Sequence, residues 1–198
     1  MTESLLEIYN QISIQQYKTD MGFKALVEGV HDNLFVIPEY QRKYRWSKEQ
    51  VEELATSLIR DLPIPPIYTF RNKNGQLEIL DGQQRVMSLY FYYIGKFFRG
   101  RREAVFDYSD LDIENARNFE EALQNKYHNI VPTKFFMEID GNEYDISYAT
   151  LPIQLRRKID YRTISVIEIK ASGVENLDIT LHYLNNLPSD LRLNTENQ

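Results

Sequence analysis

Residues 47–60 carry the clearest helical signature in the chain. Val51, Leu54, Ala55, Leu58 and Ile59 fall at i, i+3, i+4, i+7 and i+8 and so share one face. Ser47 and Gln50 spell a capping box at its start, and Pro63, Pro65 and Pro66 close it. Shorter helices are predicted over residues 3–17, from Leu5, Ile8, Tyr9 and Ile12, and over 20–30, from Phe23, Leu26, Val27 and Val30. Residues 83–98 are apolar on nearly every side, which predicts a helix buried at the centre of the protein. Helical patterns also run through residues 107–129, 152–159 and 176–187, with Pro152 in the first turn of the second.

Strand signals alternate with these helices. Phe35, Val36 and Ile37 form a short run stopped by Pro38. Residues 67–71 and 76–80 flank Asn72, Lys73, Asn74 and Gly75, a strong hairpin signal. Residues 135–139 and 143–148 predict a second hairpin around Asp140, Gly141 and Asn142, and 163–169 alternates as a strand. Hairpins interspersed with helices predict an α+β fold. No internal repeat or long linker divides the chain. Its 198 residues suit one main domain, with a helical extension over 1–20, the body over 21–187 and a polar tail over 188–198.

Composition removes several kinds of chemistry. There is no cysteine, which excludes disulfides, thiolate catalysis and Cys-based zinc sites. The net charge of −6 argues against a stand-alone DNA clamp, which carries a basic surplus. Fourteen Tyr and ten Phe suit both core packing and base stacking. The N-terminus is not that of a signal peptide, and the densest apolar run, 86–98, is too short to span a membrane. A cytoplasmic protein without membrane contact is the expectation. His31, His128 and His182 are scattered and read as structural or surface residues. Asp107, Asp110, Asp112 and Glu114 lack the glycine of an EF-hand loop and read as a solvated acidic loop. Arg99, Gly100, Arg101 and Arg102 read as a basic helix end.

The candidate chemistry concentrates at Ile79-Leu80-Asp81-Gly82-Gln83-Gln84-Arg85. An apolar strand ends in Asp-Gly, and Gln-Gln-Arg opens the buried helix. The free N–H groups of a first helical turn attract anions, Gly82 lets backbone approach a ligand, and Arg85 can grip a phosphate in bidentate fashion. Gln83 and Gln84 can donate to further phosphate oxygens. A strand–turn–helix phosphate cradle over 79–86 is one reading. A plain turn with Asp81 as the helix N-cap is the other. A second constellation follows the strand at 35–37: Ile37-Pro38-Glu39-Tyr40-Gln41-Arg42-Lys43-Tyr44-Arg45-Trp46. Its cations suit phosphates and its rings suit bases, while Trp46 before a helix N-cap reads as a packing anchor.

These segments, with Pro65-Pro66-Ile67-Tyr68 between them, resemble the N-terminal domain of GmrSD-type modification-dependent restriction enzymes, in the ParB/sulfiredoxin-like superfamily. A weaker likeness runs through Arg157-Lys158-Ile159-Asp160-Tyr161 into Ser165-Val166-Ile167, and the whole spans about residues 21–187. The resemblance implies a small mixed sheet with packed helices that binds and hydrolyses nucleoside triphosphates with Mg²⁺ in bacterial defence against phage or modified DNA. By it, Asp81, Gln84 and Arg85 are the candidate catalytic residues, with Asp81 positioning water or a metal ion whose other ligands stay unknown. Gly82, Gln83, Arg85 and Arg42 are the candidate phosphate-binding residues, and Tyr40, Gln41 and Tyr44 the candidate nucleotide or base contacts.

Two departures bear on function. Leu184-Asn185 is followed by Asn186-Leu187-Pro188 where the family commonly carries a glycine pair, and no His-Asn-His-type nuclease domain follows. DNA is then expected to be reached through a partner or a C-terminal nuclease domain that the sequence lacks, and self-association stays open. The alternatives to a triphosphatase are a regulatory module that binds nucleotide or DNA phosphate without turnover, and a ParB-like DNA nuclease.

Overall fold

The computed structural model describes residues 13–38, 43–100 and 106–172. Its elements run β1 (Ser13–Gly22), α1 (Phe23–His31), β2 (Phe35–Val36), α2 (Lys48–Ile59), β3 (Ile67–Arg71), β4 (Leu77–Asp81) and α3 (Gln83–Ile94). There follow β5 (Lys96–Phe98), α4 (Phe119–Lys126), β6 (Ile130–Pro132), β7 (Phe136–Ile139), β8 (Asn142–Asp145), α5 (Ile153–Asp160) and β9 (Thr163–Ser172). The architecture is α+β. A five-stranded mixed sheet has the order β1-β9-β3-β4-β2, and β5-β6 and β7-β8 form separate two-stranded pairs. None of the described helices is long and apolar enough to cross a membrane.

The sheet is assembled by pairings of unequal range. The β3-β4 hairpin closes over the Asn72–Gly75 turn, where Gly75 takes the positive φ of 81° that such a turn demands. β9 adds to β3 in parallel, aligning Val166 with Ile67 and Ile167 with Tyr68. β2 adds to the other side of β4, also in parallel. β1 pairs antiparallel with β9 along its whole length, from Ser13↔Ser172 to Gly22↔Thr163. From Ser13 on, then, the helix expected over 3–17 is a strand, and residues 13–20 belong to the sheet rather than to a helical extension. The expectation failed because residues 15–20 are exposed and carry no one-sided apolar pattern; their order comes from a partner strand far away in the chain. Residues 3–12 and the helix expected over 176–187 lie outside the described residues.

α3 is the post around which the helices stand. Val86, Met87, Ser88, Leu89, Tyr90, Phe91 and Tyr92 are all buried. Aromatic rings close on it from several elements: Phe91 meets Tyr44, Phe97 and Phe98, Tyr90 meets Phe119, and Tyr92 meets Phe135. The helix stops at Gly95, short of the expected end at 98. Gly95 adopts φ 63° and returns its N–H to the carbonyls of Phe91 and Tyr92, a left-handed C-cap. Lys96–Phe98 then leave as a strand against Ile130–Pro132, burying Phe97 and Phe98. In the acidic stretch 107–129 only Phe119–Lys126 is α-helical, after a 3₁₀ turn at Tyr108–Asp110 that Asp107 caps.

The capping box of α2 forms as the sequence predicts. Ser47 accepts from the Gln50 N–H, and the Gln50 side chain accepts from the Ser47 N–H at 2.9 Å. Val51, Leu54, Ala55 and Leu58 are its buried face. Gly22 joins β1 to α1 where a Cβ would come within 2.9 Å of the Asp160 carbonyl oxygen, a position only glycine fills without displacement.

One carboxylate at the end of β8 couples this fold to pH. The Ser147 side chain and its N–H, at 3.0 Å, both hydrogen-bond the Asp145 carboxylate, and Lys134 pairs with it at 3.0 Å, which together hold its pKa well below the ordinary 3.8. The folded protein therefore releases this proton more readily than the unfolded chain. The stabilisation is complete well above the ordinary value and is lost as pH falls through and below it. Denaturation followed against pH is expected to show acid destabilisation below about pH 4 that Asp145→Asn reduces.

Candidate functional site

β4 passes into α3 with a single residue between them. Gly82 lies at φ 97° and ψ 9°, the left-handed region that glycine enters without steric penalty. It is the N-cap residue of α3, and among the described residues no side chain caps the helix. The reading of Asp81 as a plain N-cap is thereby corrected. Its carboxylate turns to Arg85 instead, with Oδ2 accepting from Nη2 at 3.1 Å. Among the described residues no side chain accepts from the first-turn N–H groups of α3, the condition in which a helix start attracts an anion.

Arg85 folds back over this turn. Its Nη2 also donates to the Pro66 carbonyl at 3.0 Å, its side chain is only 11% exposed, and its Nε is buried without an acceptor. Space at Gly82 is correspondingly tight: a Cβ there would stand 3.1 Å from Arg85 Nη2 and 3.2 Å from Ile67 Cγ1. Gly82 thus serves the turn through its backbone angle and serves Arg85 by having no side chain. Gln83 is 5% exposed, and its side chain makes no hydrogen bond among the described residues.

Gln84 joins the second constellation to the first. Its Nε2 donates to the Lys43 carbonyl at 3.1 Å, and its Oε1 accepts from the Arg45 N–H at 2.9 Å. One helical turn further along, Ser88 Oγ lies 2.8 Å from the Tyr44 hydroxyl. Residues i and i+4 share a helix face, so residues 43–45 lie along one side of α3. Tyr44 also bridges to Phe106, its N–H donating to that carbonyl at 3.1 Å. Tyr44 is fully buried, with its ring against Phe91 and Phe106. Burial pushes its phenol pKa far up. The expectation of Tyr44 as a base contact is corrected by this placement: the ring offers no open face for stacking. Lys43 and Arg45, on either side of it, are exposed, as alternation along an extended segment requires. Lys43 pairs with Asp107 at 3.3 Å, while Arg45 makes no ion pair among the described residues. Trp46 packs against the core, as expected of an anchor. Tyr40, Gln41 and Arg42 lie outside the described residues, so the expected convergence of Arg42 with Arg85 does as well.

Three segments far apart in sequence therefore meet at one helix start. Residues 43–45 arrive through Gln84, Pro66 and Ile67 through Arg85 and Gly82, and the strand end through Asp81. β9, which carries Val166 and Ile167, flanks Ile67 and Tyr68 from the other side. The Pro66 carbonyl was not read from the sequence as part of the site, because a backbone acceptor leaves no side-chain signature. Among the described residues no three His, Asp or Glu side chains gather in metal-binding geometry.

Residues 23–195 match the family model for the GmrSD restriction endonuclease, N-terminal domain. The chain belongs to this family. No curated protein and no solved structure matches it. In this GmrSD-type domain the three meeting segments are those whose sequence resembled the family.

Two substitutions test the geometry. Gly82→Ala is expected to cost roughly 1–2 kcal/mol from the left-handed backbone alone, read as a lowered denaturation midpoint. Tyr44→Phe leaves the buried Ser88 hydroxyl without its partner and is expected to cost about 1–3 kcal/mol. Adding Ser88→Ala should recover much of that loss.

Proposed function

We propose that this domain binds the polyphosphate of a nucleoside triphosphate at residues 81–85 and hydrolyses it, driving or switching the nuclease component of a restriction system. The observation that carries the reading is the uncapped start of α3 with Arg85 folded over it and Asp81 beside it. Phosphoryl transfer asks a protein mainly for positioning and for charge aimed at the phosphate oxygens. The first-turn N–H groups and the Arg85 guanidinium are donors of that kind. On Arg85, the Asp81 oxygen now holds a place that a phosphate oxygen would take, so the ligand would exchange one anionic partner for another.

The residues present also fit Mg²⁺ brought in by the nucleotide. That ion binds through one or two carboxylates together with substrate phosphates and waters, and the Asp81 side chain is 34% exposed. Bound there, Mg²⁺ would neutralise developing phosphate charge. Released from Arg85, the Asp81 carboxylate would orient the attacking water. The strand–turn–helix is read with this as a ParB/sulfiredoxin-like cradle, with Arg42 adding charge and Tyr40 and Gln41 facing the nucleotide. DNA contact is assigned to a partner or to a C-terminal nuclease domain. The Asp81–Arg85 pair favours one second reading, a module that binds nucleotide without turnover, because the guanidinium is already engaged.

Phosphate release from ATP, GTP, CTP and UTP with Mg²⁺, beside calorimetry with a non-hydrolysable analogue, separates these readings. Turnover is expected in the wild type and should fall by about 100-fold or more in Arg85→Ala, and likewise in Asp81→Asn, which keeps the volume of the side chain. Binding without turnover would favour the second reading. A wild type that ignores nucleotides but binds DNA with a steep salt dependence would point to the ParB-like nuclease.

A further inference from the structure

Gln84 stands in the helix turn where a phosphate ligand is sought, yet its amide is used inside the protein. Its oxygen and its nitrogen bracket the residue Tyr44 from both ends, bonding the Arg45 N–H at 2.9 Å and the Lys43 carbonyl at 3.1 Å. A side-chain amide that accepts from one peptide group and donates to another reproduces the hydrogen bonding of a neighbouring strand. Tyr44, buried and bonded to Ser88, fixes the rotation of the bracketed segment, which leaves residues 43 and 45 facing outward. Of the two exposed cations, Lys43 is neutralised by Asp107, while Arg45 has no ion-pair partner among the described residues. Among the described residues Arg85 makes one ion pair, with Asp81. The Arg45 backbone is thus held one hydrogen bond away from the first turn of α3, and its side chain is exposed beside that turn's anchor.

We infer that Gln84 is a positioning residue that holds Arg45 at the α3 start, and that Arg45 supplies an anion contact to the ligand's phosphates. The inference rests on the proposed polyphosphate site and adds to it a cation outside the 81–85 segment. It gives Gln84 a role through the backbone rather than on the ligand.

The test is a double-mutant cycle on the full chain, with tripolyphosphate and ATP as calorimetric probes and amide exchange of Arg45 read alongside. Gln84→Met keeps length and helix preference and removes both hydrogen bonds. Arg45→Ala removes the guanidinium alone, and Arg45→Lys tests whether a point charge suffices. Arg45→Ala is expected to weaken probe binding by roughly tenfold or more, as for a lost hydrogen bond to a charged group. Gln84→Met should weaken it too and should accelerate Arg45 amide exchange. The double variant should bind no worse than Arg45→Ala, because Gln84 acts through Arg45. Additive losses would show Gln84 touching the ligand itself and would overturn the positioning role. Unchanged binding in Arg45→Ala would overturn the contact. If the wild type binds neither probe, the polyphosphate reading falls and the Arg45 contact with it. Arg45 exchange then still decides the bracket, which unchanged exchange in Gln84→Met would overturn.

Discussion

A strand can run directly into a buried helix only if one residue reverses the backbone at the junction, and here that residue is Gly82. Its left-handed conformation sets the axis of α3 against the end of β4 with no intervening loop. The burial of α3 from Val86 to Tyr92 then fixes the helix in place, so its first turn cannot shift without disturbing the core. The same glycine leaves room for the Arg85 guanidinium to lie across the turn. Position, direction and charge of the candidate site all follow from this one junction.

The rest of the structure serves to hold that junction. Rings from β5, from the segment around Phe106 and from α4 pack along α3 and give it a dense aromatic surround. Tyr44 belongs to that surround, and through it the packing of the core sets where residues 43 and 45 emerge. Pro66, just before β3, and Ile67 at its start come from the other side, Ile67 aligned by β9. Core and site are thus not separate layers: Gln84 and Ser88, on one face of one helix, bond the same short segment, the first beside the candidate site and the second in the interior.

Much of this was legible in the chain because the signals are local. The capping box of α2, the Asn-Gly hairpin and the strand–glycine–helix junction each depend on residues within a few positions of one another. The errors arose where local pattern and long-range contact disagree. Residues 13–20 look neither apolar nor alternating, and become a strand only because β9 offers its edge. Residues 96–98 continue an apolar run and read as helix, yet Gly95 ends the helix and their burial is won as a strand. Tyr44 sits among cations and reads as a ligand contact, while its ring fills a hole between Phe91 and Phe106 that no linear motif reveals.

By itself the sequence determined the elements near the site, the glycine at their junction, the absence of thiol chemistry and the family likeness of three separated segments. Each is written in residue type and short spacing. Only the tertiary structure decided that those segments meet at one helix start, that Asp81 turns to Arg85 rather than capping the helix, and that Gln84 spends its amide on the backbone of its neighbour. The reason is physical. Which partner a polar group takes depends on what folding brings within about 3 Å of it, and folding brings residue 84 to residues 43 and 45 through the packing of a core assembled from the whole chain.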